Sequence, residues 1–280
     1  MNLYDQLRAL QVLEHAFEEW SEYRKQLTDY ILKHTVCNKS LAIWGAGRCN
    51  DLDLKRLSMH FSSITLIDRN ENAMQEAIAC YGLEETHQNI HKRVIDFVGL
   101  TDEDYRQYAQ YLIDHIIRKN AFINEEHFVD KVLIGLDQLY EKIIDHQIPI
   151  ESDCFDYTIV IGVHSQLLSM LEWIWSMILQ SIQHEEYEVR KSLILMNDGL
   201  IEKFNHMLLK TTRKTVFMGC ELCRVDREGP IQGAYQAMKD IEKRLLRKEI
   251  EVSASLLIEW PFHLKEGVAY QVNLQKIKLF

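Results

Sequence analysis

Two features of the chain could do chemistry together: the glycine pair in Gly45-Ala46-Gly47 and the carboxylate of Asp68. The glycines follow the apolar run Leu41, Ala42, Ile43, Trp44. Glycine there lets the backbone turn sharply and lets a ligand approach where a Cβ would collide. Asp68 closes a second apolar run, Ile64–Asp68, 21 residues beyond Gly47. An acid at that place can accept both hydroxyls of an adenosine ribose, at the carboxyl edge where open α/β sheets bind ligands. The pattern therefore predicts a nucleoside-containing cofactor before it predicts any reaction. Further on, His164 stands just past the run FDYTIVIGV, and a histidine there can remove a proton near neutral pH. It can equally be a hydrogen-bonded histidine at a strand end. Asp198 follows SLILM and reads as a substrate contact or as a helix cap.

These residues need a scaffold. Residues 1–36 hold no Gly or Pro and carry Leu3, Leu7, Leu10, Leu13, Phe17, Trp20, Leu27 and Ile31 at helical spacing. One or two amphipathic helices follow from this, whose Tyr4, Trp20, Tyr23 and Tyr30 line a pocket or pack as core. From residue 40 the chain alternates: strand 41–45, helix 51–59, strand 64–67, helix 70–80, and a third strand about 90–95 running into Asp96. Such alternation implies right-handed crossovers and a mostly parallel sheet. Two helices, Asp102–Lys119 and Glu125–His146, interrupt the rhythm and read as an insertion. A fourth strand at 155–163, a buried helix at 166–182 and a fifth strand at 192–196 resume it. A helix near 200–210, a short extended piece at Thr215–Met218 and a helix near 231–248 come next. Two final runs, Glu251–Trp260 and Val268–Leu279, form a hairpin around PFHLKEG.

Composition narrows the classes. The chain has 280 residues and a net charge of −10, which disfavours nucleic acid or an anionic membrane as partner, since either needs a basic face. No apolar leader is read at the start, and Leu167–Leu179 is too short to span a bilayer. The six scattered cysteines fit reduced thiols in a cytoplasmic protein. Cys220 and Cys223 have metal spacing but lack the partners that complete a zinc site, so they read as ordinary thiols and no metal is expected. No HExxH, nucleophile elbow or phosphate-cradling GxxxxGK[ST] occurs.

From about residue 40 onward, the chain resembles a class I S-adenosylmethionine-dependent methyltransferase. LAIWGAGRCNDL resembles the family's glycine-rich turn, Asp68 its ribose-binding acid, and Asp96 in RVIDFVG its adenine contact. FDYTIVIGVHSQLL resembles the fourth strand that borders the methyl group, and the closing hairpin matches the family's topology. The resemblance implies a Rossmann-like, mostly parallel seven-stranded sheet with an antiparallel C-terminal hairpin. To this it adds a helical cap at 1–38 and a domain at 39–280 carrying an insertion at about 101–150. It further implies S-adenosylmethionine held by Trp44, Gly45, Ala46, Gly47, Asn50, Asp51, Asp68, Arg69, Asp96, Phe97 and Gly162. His164 would be the catalytic base, and Tyr4, Trp20 and Asp198 would meet a small or medium-sized acceptor.

The chain departs from the family turn at two places. Ile43 stands where the family has an acid, and Cys49 where it has a third glycine; Asn50 and Asp51 are close enough to take over recognition of the cofactor's ammonium group. Two other readings stay open: a non-catalytic binding module with a methyltransferase-like fold, and a nicotinamide-dependent oxidoreductase. The acceptor and the oligomeric state, including a homo-oligomer, are not legible.

Overall fold

The computed structural model describes residues 2–10, 13–83, 89–117, 125–182 and 188–280. Its seven-stranded sheet comprises β1 (Ser40–Trp44), β2 (Ser63–Asp68), β3 (Ile90–Val94), β4 (Phe155–Ile161), β5 (Thr212–Arg224), β6 (Ile250–His263) and β7 (Val268–Leu279). The order is β3-β2-β1-β4-β5-β7-β6. The first five strands pair in parallel, and β7 runs antiparallel between β5 and β6. β6 therefore runs with the parallel strands, and the β6–β7 turn reaches the same carboxyl edge as Gly45, Asp68 and Gly162.

By contacts the chain divides into two compact units. One unit holds residues 14–96, 149–165 and 202–280, so residues 14–38 pack with the sheet. It contains every strand together with α2 (Ala16–Glu19), α3 (Ser21–Lys33), α4 (Leu54–His60), α5 (Glu71–Cys80) and α10 (Ala234–Leu246). The central strands are apolar on both faces, as strands covered by helices must be. Leu41, Ala42, Ile64, Leu66, Ile159 and Phe217 have essentially no exposure. Helix starts follow local chemistry. Asp53 caps α4 by accepting from the Arg56 N–H (3.0 Å), and Asn70 caps α5 by accepting from the Ala73 N–H (3.1 Å).

The other unit is helical: residues 1–13, 97–148 and 166–201. It contains α1 (Leu3–Leu10), α6 (Asp102–Leu112), α7 (Glu125–Asp145) and α8 (Ser169–Ile182). Thr101 and Asp104 form a reciprocal capping box that starts α6. α6 continues as a π-helical turn, Ile113–Ile117, and residues 118–119 of the expected helix lie outside the described residues.

One expected strand is not there. Residues 192–196 lie within α9 (Glu188–Thr211), and the fifth strand is the thirteen-residue β5 instead of a short piece at 215–218. Leu193, Met196, Leu200, Ile201, Phe204 and Leu208 recur at helical spacing and are all buried. A five-residue apolar run cannot by itself distinguish a covered strand from a buried helix face. No helix among the described residues is long and apolar enough to cross a membrane.

Candidate functional site

The carboxyl edge begins with the turn after β1. Gly45 (φ 69°) and Gly47 (φ 48°) hold left-handed backbone, and so does Cys49 (φ 48°). Cys49, where the resemblance expects a third glycine, is thus a non-glycine residue in left-handed backbone. At Gly45 a Cβ would lie 2.3 Å from Val163 Cγ2, so the turns after β1 and β4 touch there. At Gly47 a Cβ would meet nothing nearer than 4.0 Å, which leaves its backbone open to a ligand.

Asp68 fixes this turn. Its Oδ2 accepts from the Gly47 N–H (2.9 Å) and its Oδ1 from the Asn70 N–H (2.8 Å). Burial raises its pKa, and those two hydrogen bonds oppose the rise. The turn is secured from beneath as well. The Arg24 guanidinium donates to the carbonyls of Phe17 and Asn50 (both 2.8 Å), and the Asp53 N–H donates to the Thr28 hydroxyl (3.0 Å). The Tyr81 hydroxyl donates to the Leu52 carbonyl (2.6 Å). Half-buried Asp51 sits in this segment, and desolvation pushes its carboxyl up to about 6.

The other expected contacts are distributed as follows. Gly45, Ala46, Gly47, Asn50, Asp51 and Asp68 share the first turn's surroundings. Trp44's indole is in the core, edge-on to Phe204, and Arg69 is exposed. Asp96 and Phe97 are half-buried just past β3. Gly162, with φ 66°, follows β4. Trp20 belongs to an aromatic cluster, its indole N–H donating to the Phe262 carbonyl (3.3 Å). Tyr4 packs in the helical unit, its hydroxyl donating to Asp102 (2.6 Å) and its ring stacked on Tyr105. Asp198 does not follow a strand; it is an exposed residue within α9.

His164 is 1% exposed. Its Nε2 meets Asn205 Oδ1 at 2.8 Å, and the Asn205 amide donates to Asp240 (3.0 Å), which also accepts from Arg244 (2.8 Å). With Asn205's NH2 committed to Asp240, its oxygen must accept, which assigns the imidazole proton to Nε2. Burial drives the His164 pKa down to about 4. The residue is a neutral strut of a buried polar chain and a weak proton acceptor.

Sequence reasoning missed Glu221. It lies two residues past Gly219, whose carbonyl accepts from the Gly162 N–H (3.1 Å). Glu221 is 4% exposed; its Oε1 accepts from the Ser165 hydroxyl (2.8 Å), and its Oε2 has no partner. Burial raises its pKa. A carboxylate inside the apolar run TVFMGCELC was the available signal, masked by the metal-like spacing of the cysteines on either side of it. Both are free thiols, and among the described residues no group of three or more potential metal ligands gathers.

No protein-family model matches the chain, and no curated protein is similar to it in sequence. Among solved structures, it is similar to the N-methyltransferase NodS from Bradyrhizobium japonicum, crystallised with S-adenosylhomocysteine. The identity is 12%, the TM-score is 0.50, and the alignment covers 100% of this chain and 99% of that one. A SAM-dependent methyltransferase from Leishmania major aligns over 96% of this chain and 76% of its own, at 10% identity and TM-score 0.46. The chain has the Rossmann-like fold of class I S-adenosylmethionine-dependent methyltransferases.

Proposed function

We propose that the protein is an S-adenosylmethionine-dependent methyltransferase acting on a small or medium-sized acceptor. The observation that carries this reading is the turn after β1, bonded through the Gly47 N–H to Asp68, in a sheet whose β7 lies antiparallel between β5 and β6. The residues present fit the cofactor: Gly47 leaves open space where a Cβ would stand, and Asp68 keeps lone-pair capacity beyond its backbone bonds. Gly45, Ala46 and Gly47 would approach the nucleoside, Asp68 its ribose hydroxyls and Asp96 its adenine. Asp51 would meet the ammonium of the methionine portion, in place of the acid that Ile43 replaces.

When bound, this cofactor supplies an electrophilic methyl group. The chain's own work is then to hold an acceptor in line, exclude water and receive a proton. Glu221, desolvated beside Gly162, is better suited to the last task than His164, whose low basicity and committed Nε2 tie it to the buried chain. A binder without catalysis is the second reading, favoured by Ile43 in the family's acidic position.

Thermal unfolding with S-adenosylmethionine, S-adenosylhomocysteine and NADH tests the cofactor. A ligand at 100 times its dissociation constant adds about 2.7 kcal/mol. A shift with the sulfur nucleosides alone, lost in Asp68→Ala, supports the proposal; a shift with NADH alone overturns it. Transfer of a labelled methyl group from the loaded protein then separates a catalyst from a binder.

A further inference from the structure

Among the buried polar atoms at the carboxyl edge that have no hydrogen-bond partner are Glu221 Oε2, the Tyr23 hydroxyl and the Trp260 indole N–H. Their residues are 4%, 2% and 5% exposed. They belong together. The Tyr23 ring stacks on Trp260 (5.8 Å between centroids), and burial raises the pKa of its hydroxyl, with the Asp51 and Glu221 carboxylates adding to the rise. A Cβ on Gly162 would stand 3.5 Å from both Glu221 Oε1 and the Trp260 ring, so the carboxylate and the indole converge over the end of β4. Trp20 and Phe262 press edgewise on Trp260, and Tyr270 completes the wall.

Buried polar groups in native proteins are ordinarily satisfied, and a buried carboxylate without a cation is among the costliest exceptions. No cation answers Glu221 from within the chain among the described residues. Arg224, three residues on, is committed to Asp226 (2.5 and 2.9 Å), and Arg24 to two carbonyls. A carboxylate oxygen and a phenol oxygen beside aromatic faces present what an ammonium group binds: acceptors for its N–H bonds and π-faces for its charge.

We propose that Glu221 and Tyr23, walled by Trp20 and Trp260, form a subsite for a protonated amine, which gives its proton to the Glu221 carboxylate so that the freed nitrogen lone pair can take the methyl group; the acceptor is then an amine. The identification of this amine as the acceptor rests on the methyltransferase reading; the subsite itself does not. The Trp260 indole N–H would serve a hydroxyl or carbonyl oxygen further along the same molecule.

Calorimetric titration of the full chain with benzylamine, phenethylamine and putrescine, each against its matched alcohol (benzyl alcohol, 2-phenylethanol, 1,4-butanediol), tests it. In the wild type at least one amine should bind about tenfold or more tighter than its alcohol. Glu221→Gln should abolish that preference while S-adenosylhomocysteine binding stays unchanged. Tyr23→Phe, which deletes one oxygen, should weaken the amine severalfold, and it carries the test if Glu221→Gln does not fold by circular dichroism. Alcohols binding as well as amines, or no amine binding at tens of millimolar, would overturn the subsite. So would an equal loss of S-adenosylhomocysteine in Glu221→Gln, because the carboxylate would then belong to the cofactor. Amine binding without any binding of S-adenosylhomocysteine would instead defeat the methyltransferase reading and leave the subsite standing.

Discussion

Asp68 and Glu221 lie at the same edge of the same sheet, and burial raises the pKa of both. They differ in company. Asp68 takes one backbone N–H on each oxygen and so shapes the turn that holds it. Glu221 has the Ser165 hydroxyl on one oxygen and nothing on the other. The first carboxylate is structural before any ligand arrives; the second is stored desolvation waiting for a donor. The proposed cofactor cradle and the proposed amine subsite thus follow different rules on one scaffold, and substitutions should tell them apart.

The largest effect is expected where the two turns touch. Gly45→Ala puts a Cβ 2.3 Å from Val163 Cγ2 at a φ of 69°, and should cost about 3 kcal/mol in urea unfolding. Gly162→Ala, whose Cβ meets its neighbours at an ordinary 3.5 Å, should cost about 1 kcal/mol from its left-handed backbone alone. Asp68→Ala orphans the Gly47 and Asn70 N–H groups and should cost about 2 kcal/mol, together with cofactor binding.

Acid titration comes next. The folded pKa of His164 is depressed to about 4 from an ordinary 6.5, so its contribution is present above 6.5 and lost as pH falls toward 4. Asp51 is raised to about 6 from 3.8, so its contribution is present below 3.8 and lost as pH rises through 6. The two slopes oppose between about 4 and 6. Asp51→Asn should unmask the histidine, with stability falling about 2 kcal/mol more than in the wild type between pH 6.5 and 4.5. The smallest effect has the opposite sign. Glu221→Gln should leave the melting temperature unchanged or raise stability by about 1 kcal/mol, because it removes an uncompensated buried charge.

Legibility in the sequence followed the range of the interactions. β1, β2 and β4 are apolar runs bounded by turn residues, and the Gly45–Gly47 and Asp68 pairing needs only spacing. The closing hairpin was readable because Gly267, at φ 65°, marks its turn. SLILM misled because its strand-like composition lies on the buried face of a helix twenty-four residues long. Asp198 fell with it. His164 was rightly placed past a strand, but Asn205 and Asp240, which bury and commit it, lie 41 and 76 residues away along the chain. Glu221 escaped for the same reason: its meaning depends on Tyr23, Gly162 and Trp260, which come from three separate stretches.

The position of β7 has a consequence for how the molecule comes into being. The last strand in sequence is not at the rim of the sheet but between β5 and β6, with Thr215 facing Lys278 and Ile250 facing Leu279. Until it arrives, β5 and β6 each present an open row of backbone donors and acceptors. During synthesis the nascent chain therefore carries two sticky edges while all five parallel strands are already made. The β5–β7 pairing, which joins Thr215 to Lys278, is distant in sequence and forms slowly, and unpaired edges of this kind invite association between chains. A chain stopped before Val268 should accumulate as aggregate, not as a smaller folded protein.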